Sequence, residues 1–457
     1  MKMNPEIFRE YDIRGVAETD FDEGFVEALG RAYGTKLLEN DITKVSVGRD
    51  CRLSGPAYHQ ILKRAIRSTG VNVIDIGMCP TPLMYFSIHY LDLRGGIQIT
   101  GSHNPSEYNG FKICIGKSTI HGAAIRELGD IIEAGKMARG EGNEESYPIV
   151  PAYQGYLAEQ LGRCGAGLKV VVDSGNGTAG PVAPALYREL GCEVIELYSE
   201  PDGNFPNHHP DPTVEANMAD LIAAVAEHKA DLGIAFDGDA DRLGLVDDSG
   251  RIIWGDEMMV MFARDILEKS PGATIVSEVK CSQRLYDDIE THGGAAIMWK
   301  AGHSLIKAKM RETGALLGGE MSGHLFFADR YFGYDDAVYA GARAIETVAR
   351  SGRSLSDILG DLPEVSATPE IRVDCSDDAK FKVAELARAR FRELGYDIID
   401  VDGVRVKFER GWGLIRASNT QPALVMRFEA DNDGHLREYR ELVERELEGL
   451  KAEAKAG

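Results

Sequence analysis

One unit of sequence appears three times in this chain, and a repeat of that kind leaves few folds open. A short β-branched run ends in a polar loop at residues 44–50 (KVSVGRD), again at 168–177 (LKVVVDSGNG) and again at 273–280 (ATIVSEVK). Helical patterning follows, as at 57–69 and 181–190, and a second strand pattern comes at 71–76, 193–197 and 295–299. Such alternation predicts βαβ units on a largely parallel sheet. Each unit then has one further strand pattern with a polar, glycine-rich end. These ends are GSHNP at 101–105, DGDADR at 237–242 and GGEMSGH at 318–324. Ligands in open α/β sheets lie beyond the carboxyl ends of strands, so three equivalent ends can face one cleft.

The chain beyond residue 365 reads differently. Strand patterns at 371–375, 413–416 and 423–429, an extended run at 397–408 and helices at 378–394 and 435–455 predict a mostly antiparallel α+β module. Pro363 and Pro369 bracket the linker. The expected division is 1–148, 149–250, 251–365 and 366–457: three related α/β domains with mixed, largely parallel sheets and a C-terminal α+β domain, around a central cleft.

Charge narrows the functions available. The chain has 51 basic and 73 acidic residues, a net charge of −22, which opposes nucleic-acid binding. No apolar run approaches the ~20 residues needed to span a bilayer, and the first 15 residues have no apolar signal core. The seven cysteines are scattered without a CxxC pair, which points to a reducing, cytoplasmic setting rather than a zinc site or disulfide framework.

Four loops carry chemistry. Ser102 follows Gly101 at a strand end, where glycine lets backbone approach a ligand. Its hydroxyl needs help to act as a nucleophile, with His103 and Lys112 the nearby candidates. Asp237, Asp239 and Asp241 alternate after an apolar run and would repel one another without a cation; hard oxygen ligands suit Mg²⁺ or Ca²⁺. An EF-hand needs glycine sixth and glutamate twelfth, where Arg242 and Asp248 stand, so that reading fails. Glu320, Ser322 and His324 form a polar group suited to sugar hydroxyls. Arg416, with Ser418, Asn419 and Thr420, suits a phosphate, since Arg binds oxyanions bidentately and small donors fill the remaining lone pairs. Further cations are Arg14, Lys280, Lys300 and Lys307.

Taken in order, TGSHNP (100–105), DGDADR (237–242), GEMSGH (319–324) and RASNTQP (416–422), with FREYDIRG (8–15) and KAGHSLIK (300–307), resemble the α-D-phosphohexomutase superfamily over essentially the whole chain. Within it the chain is most similar to bacterial phosphomannomutase/phosphoglucomutase enzymes. Phosphoglucosamine mutases, the alternative, tend to have glutamine at the position of Met321 and glycine at that of Asn419.

The resemblance implies a mutase that moves phosphate between the 1 and 6 positions of mannose or glucose phosphates. Ser102 is then the phosphorylated residue, and Asp237, Asp239 and Asp241 hold Mg²⁺ with a phosphoserine oxygen. Lys112, Arg242, His303 and His324 are catalytic, with the proton acceptor left open between Lys112 and His324. Tyr11, Arg14, Lys280, Glu320, Ser322, Arg416, Ser418, Asn419 and Thr420 bind substrate. A sugar 1,6-bisphosphate serves as activator. No nucleic-acid or membrane partner is expected; oligomeric state and the preference between mannose and glucose stay open.

Overall fold

The computed structural model describes residues 4–419 and 421–456. In three of its four sheets the same four strands recur in the same order. The first in sequence lies centrally: Lys44–Arg49, Lys169–Asp173 and Thr274–Glu278. The second (Asn72–Met78, Glu193–Leu197, Ala295–Trp299) pairs parallel on one side, and the third (Gly95–Ile99, Leu232–Phe236, Leu317–Gly319) parallel on the other. A fourth (Tyr108–Ile115, Leu243–Asp247, Leu325–Phe327) returns antiparallel to the third. The loop of that final hairpin is, in every unit, the polar segment singled out above. Every residue of the three third strands is buried, as continuous apolar runs require in a sheet covered on both faces.

Between the second and third strands each unit inserts a helix: Thr81–Tyr90, Ala219–His228 and His303–Thr313. Sequence periodicity did not reveal the first of these because residues 81–88 are all buried, and a helix buried all round has no polar face to set a period. The first unit also adds an edge strand, Ile13–Val16, antiparallel to Tyr108–Ile115. That strand brings Arg14 to the serine loop, where it reaches Asn104, and the segment before it carries Tyr11 toward the third and fourth units.

The fourth sheet is antiparallel throughout. Ala423–Ala430 pairs with Ser366–Ala367, Ile371–Asp374 and Gly411–Ala417, and the sheet continues through Val404–Phe408 to Ile398–Ile399. Helices Asp377–Glu393 and Asp433–Ala456 cover it. One apolar core runs through the first three units, including Phe86, Tyr153, Leu186, Phe262 and Tyr339. The C-terminal unit has its own core, around Val404, Leu424, Phe428 and Val443.

The seam between the third and fourth units is largely polar. Val279, Trp412 and Leu414 form its apolar part. Beside them the buried Arg405 donates to the carbonyls of Val279 and Cys281, both at 2.8 Å, and lies 3.7 Å over the Trp412 ring. No helix among the described residues is long and apolar enough to cross a membrane.

Candidate active site

The serine loop is held in an unusual backbone state. Ser102 has φ of +49°, which costs a non-glycine residue free energy unless its surroundings impose it. Arg52 imposes it. Its guanidinium, fully buried, donates to the carbonyls of Ser102 (2.8 Å), Asn104 (2.6 Å), Pro105 and Tyr108 (2.7 Å). Asp50 balances the charge at 3.2 Å and accepts the Gly101 amide at 3.1 Å. A Cβ on Gly101 would sit 2.4 Å from the Arg52 guanidinium carbon, so glycine is required there. The loop of the second unit closes over this clamp, with the Phe205 ring 5.4 Å from the guanidinium.

This geometry presents the Ser102 hydroxyl to the aspartate loop. Oγ donates to Asp237 Oδ2 at 2.8 Å and lies 3.1 Å from His103 Nδ1. Gly238 allows the approach, since a Cβ there would stand 2.6 Å from the Ser102 carbonyl oxygen. Asp237, Asp239 and Asp241 are fully buried, and one carboxylate oxygen from each lies within 4.8 Å of the others. Lys112, on Tyr108–Ile115, reaches both Asp239 Oδ2 (2.8 Å) and Asp241 Oδ2. Thr81 and Thr100 donate to the same Asp239 oxygen at 2.5 and 3.0 Å.

Electrostatics follow from that packing. Burial, then Asp239 and Asp241, push the Asp237 carboxyl well above the usual carboxylate range. Burial would raise Asp239 too, but Lys112 outweighs it and holds Asp239 far below that range. Burial opposes the Lys112 charge, yet the three aspartates raise its pKa, so Lys112 stays an ammonium. Burial, then Arg242 and Arg14, hold His103 neutral. Asp239 Oδ1 and Asp241 Oδ1 are buried without a hydrogen-bond partner. Two orphaned hard oxygens beside Asp237 fit a divalent cation.

The other units close on the same place. Arg242 Nε donates to His324 Nε2 at 3.1 Å, while His324 Nδ1 faces the Asp241 carbonyl (3.1 Å) and Asp335 Oδ2 (3.3 Å). His303, first residue of its helix, stacks on His324 at 5.5 Å and meets Tyr11 edge-on at 5.6 Å. Burial, then Lys307, keeps the pKa of His303 below the ordinary value. Glu320 Oε1 accepts the Gly302 amide at 2.7 Å; Ser322 is half-buried in the same loop. Tyr11 donates to the Ala301 carbonyl (3.0 Å) and accepts from Asn419 (2.9 Å), tying the first, third and fourth units. Arg416 Nε donates to Asp402 Oδ2 at 2.9 Å, and the same oxygen accepts the Ala301 amide at 3.1 Å. Ser418 Oγ, buried, accepts the Gln421 amide at 3.1 Å. Arg14 reaches Asn104 at 2.7 Å and pairs with Asp12. Lys280 pairs with Glu370 at 3.0 Å. Thr420 lies outside the described residues. Two of the cations suggested by sequence are differently spent: Lys300 is exposed, and Lys307 is buried against Asp335 at 2.8 Å.

Four phosphoglucomutase/phosphomannomutase domain models match in order: α/β/α domain I over residues 5–139, domain II over 153–250, domain III over 254–365 and the C-terminal domain over 370–446. The chain belongs to the phosphoglucomutase/phosphomannomutase family. It is 46% identical over 442 residues to a phosphomannomutase/phosphoglucomutase of Pseudomonas putida, covering 96% of this chain and 95% of that one. The corresponding protein of Pseudomonas aeruginosa is 45% identical over 444 residues, 97% of this chain and 96% of its own. A crystal structure of a phosphoglucomutase/phosphomannomutase family protein from Burkholderia thailandensis superposes with TM-score 0.91 at 41% identity, covering 98% of each chain.

Within this phosphoglucomutase/phosphomannomutase fold, sequence reading missed Arg52, Thr81, Asp335 and Asp402. Arg52 and Asp50 follow the first strand of the first unit, so the strand-end rule applied to the later loops pointed at them too. Asp335 precedes Asp336, the N-cap of Ala337–Ser351, and two acids before a helix read as capping.

Proposed function

We infer that this phosphosugar mutase moves a phosphoryl group between the 1 and 6 hydroxyls of glucose and mannose monophosphates by way of Ser102. The observation that carries the reading is the Ser102 hydroxyl, clamped in a left-handed turn 2.8 Å from the buried aspartate group. Asp237, Asp239 and Asp241 are the residues that would hold Mg²⁺. When bound, that ion neutralises charge on the phosphoryl oxygens and on the departing serine oxygen.

The chain's own groups do the rest. In the forward step the bond from phosphorus to Ser102 Oγ breaks, a bond from phosphorus to the sugar hydroxyl oxygen forms, and that hydroxyl gives up its proton. Lys112, paired with Asp239 and Asp241, supplies charge, and His303, stacked on His324 and backed by Asp335, takes the proton. Arg14 and Arg242 flank the serine loop as cations for the transferring group. Glu320 and Ser322 read sugar hydroxyls, while Tyr11, Lys280, Arg416, Ser418, Asn419 and Thr420 hold the phosphate that does not react. The sugar 1,6-bisphosphate so formed turns end for end and returns its other phosphoryl to Ser102; added bisphosphate primes bare enzyme by the same step.

The test is intact-mass analysis after treatment with glucose 1,6-bisphosphate. One phosphoryl group located at Ser102, absent from Ser102→Ala, is expected. Phosphate on another residue would overturn the assignment. Coupled assays with glucose, mannose and glucosamine 1-phosphates then rank the sugars.

A further inference from the structure

Behind the catalytic cleft, between the first and third units, lies a cavity of about 490 Å³ that the reaction does not use. That volume falls within the roughly 300–1,000 Å³ of small-molecule sites, which favour seams between domains. Helix Thr81–Tyr90, Lys117 and the short strand Ser118–Thr119 form the first unit's side. The end of His303–Thr313 and the segment at 328–334 form the other.

Charge sets this cavity apart. The chain carries 73 acidic residues against 51 basic, yet Lys117, Lys307 and Arg311 line the cavity and no Asp or Glu does. Lys307 spends its charge on Asp335 and Lys117 pairs with Asp92 at 3.4 Å, while Arg311 and Lys117 are both exposed at the rim. One wall is aromatic. His89 stacks on Phe332 at 4.6 Å with 18° between planes, and Tyr334 lies within 26° of His89. Burial, with Lys117 nearby, pushes the His89 imidazole down to about 4, so this wall is neutral at physiological pH. Phe332 is 37% exposed, a large apolar ring left uncovered. A polar group also waits inside. The Tyr85 side chain is only 4% exposed, and Thr119 lies beside it, but no group meets its hydroxyl in hydrogen-bonding geometry. A buried hydroxyl without a partner is costly and marks a place for one.

We propose that this cavity binds a small organic anion: a flat apolar body against Phe332 and Tyr334, its charged head toward Arg311 and Lys117, with Tyr85 donating a hydrogen bond. Such a ligand touches both units at once. It also sits one side chain from the catalytic group, because Asp335, which holds Lys307, faces His303 and His324 with its other oxygen.

Naphthalene-1-sulfonate is the probe, titrated calorimetrically into the full chain at millimolar concentration, with 1-naphthol and inorganic sulfate as partial ligands. One molecule of the sulfonate should bind per chain, more tightly than either partial ligand. Arg311→Glu should weaken binding about tenfold, the scale of one charge-assisted contact, and leave mutase kinetics unchanged. Leu316→Trp, which fills the cavity, should abolish it, whereas Arg416→Lys, in the phosphate cradle, should leave it intact. Equal affinity for naphthol, unchanged binding by Arg311→Glu, loss in Arg416→Lys, or no binding to the wild-type chain would each overturn the proposal. Because the readout is binding, it stands apart from the assignment of Ser102.

Discussion

Arg52 donates to four carbonyls of one loop, and replacing it with lysine separates its charge from its shape. An ammonium balances Asp50 but cannot span four acceptors as a planar fork does. Arg52→Lys should therefore slow phosphorylation of Ser102 by roughly 10- to 100-fold while leaving KM nearly unchanged. Rapid-quench labelling with bisphosphate checks this; a fall in melting temperature alone, with normal labelling, would make Arg52 a mere brace. Asp239→Asn removes one carboxylate charge from a group that has two unpartnered oxygens. The Mg²⁺-induced rise in melting temperature should shrink and turnover should fall strongly, and equal shifts in both proteins would remove the metal assignment. Arg416→Lys should raise KM and lower kcat together, losing roughly 10- to 100-fold in kcat/KM, since lysine cannot fix a phosphate through two parallel bonds. These loops were legible because their residues are chemically loud: a serine among glycines, three alternating acids, an arginine before hydroxyls. Asp335 was quiet, and Arg52 was marked only by its place after a strand end, not by what it does. Their work is to satisfy carbonyls and to hold other side chains, and neither task has a sequence pattern.

At the scale of elements, the three-strand repeat could be read because its third strands, apart from Gln98, carry no polar side chain and end abruptly in polar loops. The hairpin return and the inserted helices were harder. A helix such as Thr81–Tyr90, with one face on its own sheet and the other on helix Ile149–Leu161, looks like any apolar run. The loops also carry titratable contacts of their own. Asp173 ends the central strand of the second unit and meets His208 Nε2 at 3.0 Å. Burial would lower the pKa of His208, but Asp173 outweighs it and the pKa rises. A raised imidazole contributes stability that is fully present below its ordinary pKa of ~6.5 and is lost as pH climbs through the folded value. His208→Gln should thus lower the melting temperature more at about pH 6 than at about pH 9. A loss that does not vary with pH would mean that His208 only fills space.

Across the whole molecule, what matters most is that the C-terminal unit's core is separate from the one shared by the first three units. The C-terminal unit meets the third through a short apolar contact and a set of guanidinium-to-carbonyl bonds. Polar bonds of this kind can be exchanged for water when the seam opens, so opening exposes little apolar surface. Arg405→Met keeps bulk against Trp412 but strands the Val279 and Cys281 carbonyls, at a cost of about 1–3 kcal/mol for each. Limited proteolysis within residues 363–369 should then accelerate, read by fragment mass, and an unchanged cleavage rate would show that the seam rests on its apolar part. The sequence divided this unit from the others because its strands pair around tight turns, but a seam made of backbone carbonyls leaves no trace in side-chain pattern.

The recurrence of one strand order in three units has a historical side. A sheet order used three times gives three hairpin loops on ladders that are each complete without the others, so the loops answer to one another rather than to their sheets. On the reading proposed above, one copy kept the nucleophile, one the acids and one the hydroxyl readers. A lineage can then change which sugar it accepts by altering Glu320 and Ser322 in the third copy, provided His303, His324 and Asp335 beside them are kept.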